Sequence, residues 1–313
     1  MSGSFPSRES AGSDSSGWRP RIAVTLGDPR GIGPEIVAAA LRDPDVRLAC
    51  QCLVVGPRGT EVQPDEPIGD WDPQGGAALA GRLAGRAVVR AVELALAGEV
   101  GGIVTAPLDK AALLQGGYDF PGHTEMLAAL TRSETVMLLA SERLRVALAT
   151  THIPLRQVFE TLTPELIVRT AERARAGLSA WFGIAEPRLA LCALNPHAGD
   201  QGRFGREDDE LLRPAAQAAG IAGPFPADTV FVRALRGEFD AVIAPYHDVG
   251  MVAIKVASFG AAVNVTLGLP FPRTSPDHGT ALDIAGKGLA DPSSMIRAVR
   301  LCADIVRRQK VLG

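Results

Sequence analysis

From Arg21 to Asp43 the chain reads RIAVTLGDPRGIGPEIVAAALRD. A continuous apolar run comes first, and a loop rich in glycine and proline separates it from a segment with helical character. Pro34 suits the first turn of that helix, where its missing N–H would have had no partner. A strand that is apolar on both faces and then followed by a helix is the unit of parallel sheets covered on both sides. The alternation recurs. QCLVVG, GGIVTAP, TVMLLA, LRVALAT, RLALCAL, FDAVIAP and AAVNVTLG read as strands, and GAALAGRLAGRAVVRAVELALAG and TPELIVRTAERARAGLSAWFG read as helices between them. The expected class is α/β with a mostly parallel sheet.

The 313 residues, 46% of them hydrophobic, exceed most single domains and point to two α/β lobes or one large domain. With a net charge of -3 and no block of like charges, nothing favours a nucleic-acid or anionic-membrane partner, and a small-molecule substrate fits better. Cys50, Cys52, Cys192 and Cys302 lack CxxC spacing. That argues against a zinc knuckle or a disulfide framework and for a reduced, cytoplasmic compartment. Residues 1–19 are rich in Ser and Gly without a continuous apolar stretch, so a disordered tail is expected there rather than a signal peptide or an anchor. No later window offers the ~20 consecutive apolar residues of a membrane span.

The glycines of GDPRGIGPE, Gly27, Gly31 and Gly33, do not make G-x-G-x-x-G, so a standard Rossmann site is not supported. The five histidines are more informative. His152, in ATTHIP, His197, in LNPHAGDQG, and His247, in APYHDVG, each fall just past the carboxyl end of a strand-like run. Ligands of open α/β sheets bind at that edge. Three imidazoles converging on one point would make a first shell for a catalytic metal, with Asp248 or Asp228 orienting a ligand or adding an oxygen. The competing interpretation is three unrelated polar strand ends. His123 and Thr124 stand where a helix begins in DFPGHTEMLAAL, either as an anion site or as an ordinary cap with Thr124 as N-cap. Lys255, Asn264 and Arg273 recur at nine-residue intervals in a segment with few other charges, and Arg273 suits bidentate grip of a phosphate or carboxylate. Taken singly, each is more ordinary as a surface residue. Lys110 also follows a strand-like run, and His278 sits in the glycine-bearing SPDHGTALDIAGKG.

The segments GDPRGIGPE, VTAPLDKAAL, FPGHTEMLA, TTHIPLR, NPHAGDQGRFG, YHDVG and LPFPRTSPDHGTALDIAGKG, in this order, resemble the 4-hydroxythreonine-4-phosphate dehydrogenase family of vitamin B6 biosynthesis. The resemblance covers nearly all the chain except the tail. DHGTALDIAGKGLADP is also similar to the nucleotide loop of isocitrate and isopropylmalate dehydrogenases. This implies their two-lobed α/β/α fold, with an active site in the cleft between lobes and at a homodimer interface. The implied division is a nucleotide-binding lobe of residues 20–130 plus 272–313 and a metal-binding, dimerisation lobe of residues 131–271.

Carried over residue by residue, the resemblance makes His152, His197 and His247 ligands of one divalent metal (zinc, magnesium or cobalt), with His247 donated across the dimer. His123, Thr124, Lys255, Asn264 and Arg273 become substrate contacts, and His278, Gly279 and Asp283 contacts of NAD or NADP. Lys255, Asp248 and Lys110 are the candidate proton acceptors. The implied reaction is oxidation of 4-phosphohydroxy-L-threonine at C3 to 2-amino-3-oxo-4-phosphooxybutanoate, which decarboxylates to 3-amino-2-oxopropyl phosphate. Threonate or erythronate 4-phosphate is the alternative substrate. A metal-dependent phosphatase or hydrolase and a non-catalytic binding protein are the readings from other classes. HDVGMVAIK stands where members more often read like HDQGLPVLK, and GDPRG replaces a commoner GDPAG. The His123-Thr124 pair favours a phosphorylated substrate over the aromatic dihydrodiol that some relatives oxidise.

Overall fold

The computed structural model describes residues 18–258 and 260–312. Most of the tail expected at residues 1–19 lies outside them. Trp18 and Arg19 are placed, with the Lys310 ammonium 3.8 Å from the Trp18 ring centre and Arg19 Nη1 donating to the Arg47 carbonyl at 2.6 Å.

The strands are β1 (Arg21–Thr25), β2 (Gln51–Arg58), β3 (Glu66–Asp70), β4 (Gly102–Thr105), β5 (Val136–Ala140), β6 (Arg145–Leu148), β7 (Leu189–Cys192), β8 (Ala222–Phe225), β9 (Ala241–Ala244), β10 (Val263–Leu267) and β11 (Arg273–Pro276). The helices are α1 (Gly33–Arg42), α2 (Pro44–Ala49), α3 (Gly76–Leu96), α4 (Lys110–Gln115), α5 (His123–Thr131), α6 (Leu155–Thr161), α7 (Pro164–Phe182), α8 (Arg213–Ala219), α9 (Ala227–Leu235), α10 (His247–Ser258) and α11 (Ser293–Leu312). No described helix is long and apolar enough to cross a membrane. The chain forms two compact units, one of residues 18–135 with 263–312 and the other Val136–Ala262. The crossings expected at 130/131 and 271/272 fall at 135/136 and 262/263.

In the first unit the strand order is β3-β2-β1-β4-β11-β10, parallel except for the β10–β11 pair. Ile22, Ala23 and Val24 are all essentially inaccessible, so both faces of β1 are covered, as its unbroken apolar run requires. On one face Ala23, Leu53, Val55 and Ile103 share a core with Ala87, Val88, Ala91 and Leu94 of α3. α11 packs on β4 and β11. Helices α3 and α4 meet backbone to backbone. A Cβ on Gly81 would lie 1.7 Å from the Ala112 carbonyl oxygen.

The second unit orders its strands β5-β6-β9-β7-β8, with only the β5–β6 pair antiparallel. Val146, Ala190, Val242 and Ala244 pack with Val230 and Phe231 of α9 and Ile254 of α10. The carboxyl ends of β6 and β9 are tied to each other. Ala149 N–H donates to the Ala244 carbonyl at 2.9 Å, and the Thr150 hydroxyl donates to the Pro245 carbonyl at 2.8 Å.

Candidate active site

The tie between β6 and β9 decides where two of the three strand-end histidines go. His152 follows β6 and His247 opens α10 after β9, and their ring centres are 5.4 Å apart with planes tilted by 47°. Two imidazoles sharing a metal at ~2.1 Å from each ring nitrogen would have centres about 5 Å apart, so the spacing fits a common ion. His247 Nδ1 is 2.7 Å from Asp248 Oδ1, which leaves Nε2 for a ligand. The resemblance implied a His247 that reaches across a dimer; in the protomer its ring lies beside His152.

His197 is held differently. It sits in the 3-10 turn Pro196–Gly199, and φ is positive at His197 (54°), Ala198 (56°), Gly199 (83°), Asp200 (44°), Gln201 (58°) and Gly202 (87°). A left-handed run through four non-glycine residues is costly and persists only where the surroundings enforce it. Asp208 supplies much of that enforcement. Its fully buried carboxylate accepts from Leu194 N–H at 2.8 Å and Asn195 N–H at 3.0 Å, and the Asn195 amide donates to Glu207 at 2.8 Å. Asp208 opens a π-helical turn, Asp208–Leu212, a form that recurs at functional sites. The His197 ring packs on Phe204 at 6.1 Å between centres. Among the described residues no three His, Cys, Asp or Glu side chains form a metal-binding group within one chain. Asp228 lies exposed in the first turn of α9, and Lys255 is exposed just over two helical turns beyond His247 on α10.

In the other unit, Arg273 is the centre of a buried polar cluster. The guanidinium is 2% exposed and donates through Nε and Nη2 to the Thr105 hydroxyl and through Nη1 to the Thr266 hydroxyl. Burial pulls its pKa down to about 10, so it remains a cation at neutral pH, and it is not the surface residue that is ordinary for an arginine. His123 is near enough to feel that charge. Burial, and then the Arg273 cation, hold its pKa well below the usual imidazole value, and its Nε2 is buried with no hydrogen-bond partner. Asn264 Oδ1 and Thr25 Oγ1 are likewise buried and unmet. Buried polar groups of this kind ordinarily have hydrogen-bond partners.

His123 is itself the first residue of α5 and Gly122 its N-cap, so the alternative of Thr124 as an ordinary N-cap does not hold. Lys110, exposed at the start of α4, places its Cε 3.6 Å from where a Gly122 Cβ would stand.

The first loop and the glycine-bearing loop meet in the same unit. Ile32 N–H donates to the Thr280 carbonyl at 2.9 Å, and Gly286 N–H donates to Glu35 Oε2 at 3.0 Å. A Cβ on Gly31 would come within 2.7 Å of the Thr280 carbonyl oxygen. His278, Gly279 and Asp283 are exposed on this second loop. Arg30, the departure in GDPRG, is engaged locally: it binds buried Asp28 through Nη2 at 2.6 Å and Nε at 3.0 Å, and lies 3.6 Å from Asp109. A cavity of about 570 Å³, lined by Arg175, Arg188 and Phe239 among others, opens at the amino ends of β7 and β8, away from the edge that carries the histidines.

The family described as pyridoxal phosphate biosynthetic protein PdxA matches residues 58–302. The chain belongs to the PdxA family. A D-threonate 4-phosphate dehydrogenase of Cupriavidus necator is 43% identical, the match covering 94% of this chain and 99% of that protein. A 4-hydroxythreonine-4-phosphate dehydrogenase of Stenotrophomonas maltophilia is 40% identical, over 93% of this chain and 98% of the relative. The crystal structure of the Klebsiella pneumoniae 4-hydroxythreonine-4-phosphate dehydrogenase superposes with a TM-score of 0.79 at 40% identity, covering 92% of this chain and 99% of that one. The protein is therefore an enzyme of the PdxA type, a dehydrogenase with the fold of its relatives.

Against that family pattern, sequence reading overlooked Thr105, Thr266, Asp208 and Glu35. Each serves by holding another group: the two threonines orient Arg273, Asp208 pins the His197 turn and Glu35 anchors the Gly286 loop. Thr105 carried a signal, since it ends the GGIVTAP strand directly before the Lys110 loop. The others stand in segments with no pattern to mark them.

Proposed function

We propose that this PdxA-type enzyme oxidises the C3 hydroxyl of 4-phosphohydroxy-L-threonine with NAD or NADP, giving 2-amino-3-oxo-4-phosphooxybutanoate, which decarboxylates to 3-amino-2-oxopropyl phosphate. The observation that carries the phosphorylated substrate is the buried Arg273 cation. Its partners are neutral hydroxyls, and the unmet His123 Nε2 lies within its influence. A buried charge that no carboxylate neutralises at contact is stabilised by an anionic ligand. His123, kept neutral, donates a hydrogen bond to a phosphate oxygen, and Thr124, Asn264 and Lys255 complete the grip.

His152, His197 and His247 are the residues that would hold a divalent metal (zinc, magnesium or cobalt). A metal held there would supply Lewis-acid chemistry to the substrate hydroxyl, and a bound nicotinamide would supply the hydride acceptor. Asp248 fixes the orientation of the His247 ring. Lys255, Asp248 and Lys110 are the groups available to take the hydroxyl proton. His278, Gly279 and Asp283, on the loop anchored by Glu35, are proposed to contact the dinucleotide.

The enzyme is further proposed to work in the cytoplasm as a homodimer. Each candidate ligand histidine is followed in the chain by exposed apolar side chains: Leu155 (61%) and Phe159 (51%) after His152, Phe204 (43%) after His197, and Val252 (63%) and Val256 (69%) after His247. Apolar surface of this kind is buried when a second copy docks.

A second reading, oxidation of D-threonate 4-phosphate, is favoured by the 43% identity to the enzyme of that name. The two substrates differ at C2, an amino group against a hydroxyl. Comparing 4-phosphohydroxy-L-threonine with threonate and erythronate 4-phosphates, under NAD and a divalent cation, separates them. NADH formation with the first at the highest kcat/KM is expected. A preference for threonate phosphate moves the assignment to the second reading, and phosphate release without dinucleotide would make the protein a phosphatase.

A further inference from the structure

Cations scattered along the sequence are gathered by the fold of the first unit. Arg19 precedes β1, Arg47 stands on α2, and Arg300, Arg307, Arg308 and Lys310 lie on α11, which packs against α2. Contacts link them into one face. The Lys310 ammonium lies over the Trp18 ring, Arg19 Nη1 donates to the Arg47 carbonyl, and Arg47 Nε donates to the Leu41 carbonyl at 2.9 Å. Arg307 donates through Nη2 to the Ala49 carbonyl and Arg300 through Nη1 to Asp45 at 3.0 Å, so α11 is tied to both ends of α2. The charges of Arg307, Arg308 and Arg300 all reach the Asp304 carboxylate.

This face holds more positive charge than its own acids neutralise. The acidic side chains on these elements are Asp43, the N-cap of α2, Asp45 and Asp304, three against six cations, in a chain whose net charge is -3. Arg19 and Arg47 are exposed and anchored on neutral carbonyls, which fixes the guanidinium without cancelling its charge. A side chain already held in place loses less freedom on binding. Exposed apolar side chains stand among the cations: Leu48, 74% exposed, follows Arg47, and Val311, 85% exposed, follows Lys310. The face lies at the amino edge of the sheet, where Arg19 and Pro20 lead into β1, whereas Thr105 and the guanidinium of Arg273 mark the carboxyl edge. The apolar side chains proposed for the homodimer belong to the other unit.

We propose that this basic face docks an acidic partner protein, whose carboxylates meet the arginines while its apolar side chains cover Leu48 and Val311. The composition distinguishes a protein from other polyanions. Five of the six cations are arginines, whose planar fork pairs with a carboxylate through two parallel hydrogen bonds. Arginine beside apolar side chains, with little lysine, is the composition of protein interfaces. A nucleic-acid backbone sets a charge at every nucleotide and would be repelled by Asp43, Asp45 and Asp304, whereas a protein surface places its carboxylates singly. An anionic bilayer needs apolar side chains that insert, and here the Trp18 ring is engaged by Lys310, leaving Leu48 and Val311 alone for that task.

The test uses the full-length enzyme and fluorescence anisotropy. The probes are a peptide of glutamates with interspersed leucines, the same peptide with glutamine for glutamate, a single-stranded RNA of equal length, and phosphatidylserine vesicles as competitor. The glutamate peptide is expected to bind, more weakly as salt is raised, and the glutamine peptide and the RNA to bind at least ~10-fold less tightly. Arg47→Glu combined with Lys310→Glu sets like charges against the peptide and should weaken it ~10-fold or more, with thermal unfolding and kcat/KM unchanged. Leu48→Ser should weaken it by less and leave the salt dependence intact. Saturating peptide should not alter wild-type kcat/KM. Failure of the glutamate peptide to bind, equal binding of the glutamine peptide, tighter binding of RNA or vesicles, or competition with the phosphorylated substrate overturns the proposal, and these wild-type comparisons stand even where the double variant does not fold. An affinity unmoved by the charge reversal in a folded variant overturns it as well.

Discussion

Arg273 grips one hydroxyl twice: its Nε and Nη2 both donate to Thr105 Oγ1, at 3.2 and 2.6 Å. A single threonine at the carboxyl end of β4 therefore sets the direction in which a buried cation faces. Thr105→Val keeps the shape and removes the acceptor, leaving two guanidinium donors unmet. Hydrogen bonds to charged groups contribute about 1.5–3 kcal/mol, so denaturant unfolding should show a loss of ~2 kcal/mol. Arg273→Ala should lower kcat/KM for the phosphorylated substrate by ~100-fold or more, the loss of roughly 3 kcal/mol of charge-assisted binding. An unchanged kcat/KM would remove Arg273 from the phosphate site.

His123 gives the fold a pH dependence with a definite sign. Burial and the Arg273 cation depress its pKa in the folded state, so on acidification the unfolded chain takes up a proton that the folded chain refuses. The stability this residue contributes above the ordinary imidazole pKa is therefore lost as pH falls through and below that range. His123→Gln should flatten that part of the curve, measured by chemical denaturation across the range. A parallel curve in the variant would mean that His123 titrates as freely when folded as when unfolded.

The histidines can be tested by metal content as well as by turnover. Removal of divalent ions with a chelator should abolish NADH formation, and added zinc, magnesium or cobalt should restore it. His197→Ala, His152→Ala and His247→Ala should each lose bound metal and activity together. Asp248→Asn leaves the ring in place but weakens its orientation, and losses of this kind are ~10–100-fold in metal affinity. Full metal occupancy and turnover in His197→Ala would exclude it as a ligand.

Asp208 acts on His197 at a distance. Asp208→Ala leaves the Leu194 and Asn195 N–H groups buried without acceptors, at a cost of about 1–3 kcal/mol each. The left-handed turn then loses two of the hydrogen bonds that hold its start. Metal affinity should fall with every imidazole still present, and Asp208→Asn, which retains one acceptor, should recover part of it. Equal metal affinity in wild type and Asp208→Ala would show that the turn is held by other contacts.

Unbroken apolar runs identified β1, β2, β4–β7, β9 and β10 in the sequence, because buried parallel strands cannot hide their composition. β3, EPIGD, and β8, AGPF, were not legible for the opposite reason: as edge strands they tolerate the proline and glycine that read as loop. β11, RTSP, is buried yet polar, and its character comes from partners distant in sequence, such as the Ala298 carbonyl that accepts from Thr274 at 2.7 Å. The site followed the same division. Residues at strand ends stood out by position, whereas Asp208 and Thr266 act through contacts that only the folded chain creates. Arg273 was visible as a rare charge in an apolar segment, but its burial was not.

The α3–α4 contact shows how far such tertiary demands reach into an ordinary helix. Within GAALAGRLAGRAVVRAVELAL, alanine in place of Gly81 or Gly85 would raise helix propensity by nearly 1 kcal/mol. The packing overrides that preference. At Gly81 a Cβ would meet the Ala112 carbonyl oxygen at 1.7 Å and its carbon at 2.1 Å, and at Gly85 it would meet the Tyr118 ring at 2.2 Å. The Tyr118 side chain can turn aside, whereas the backbone of α4 can yield only by moving the helix, whose first residue is Lys110 and which leads into the chain toward His123. Gly81→Ala should therefore destabilise by ~3 kcal/mol, and Gly85→Ala by less. Gly81→Ala should also raise KM for the phosphorylated substrate more than it lowers kcat, since it displaces binding groups rather than the histidines. Thermal unfolding and steady-state kinetics on the two variants check both orders, and equal stability of the two would show that α4 relaxes freely away from α3.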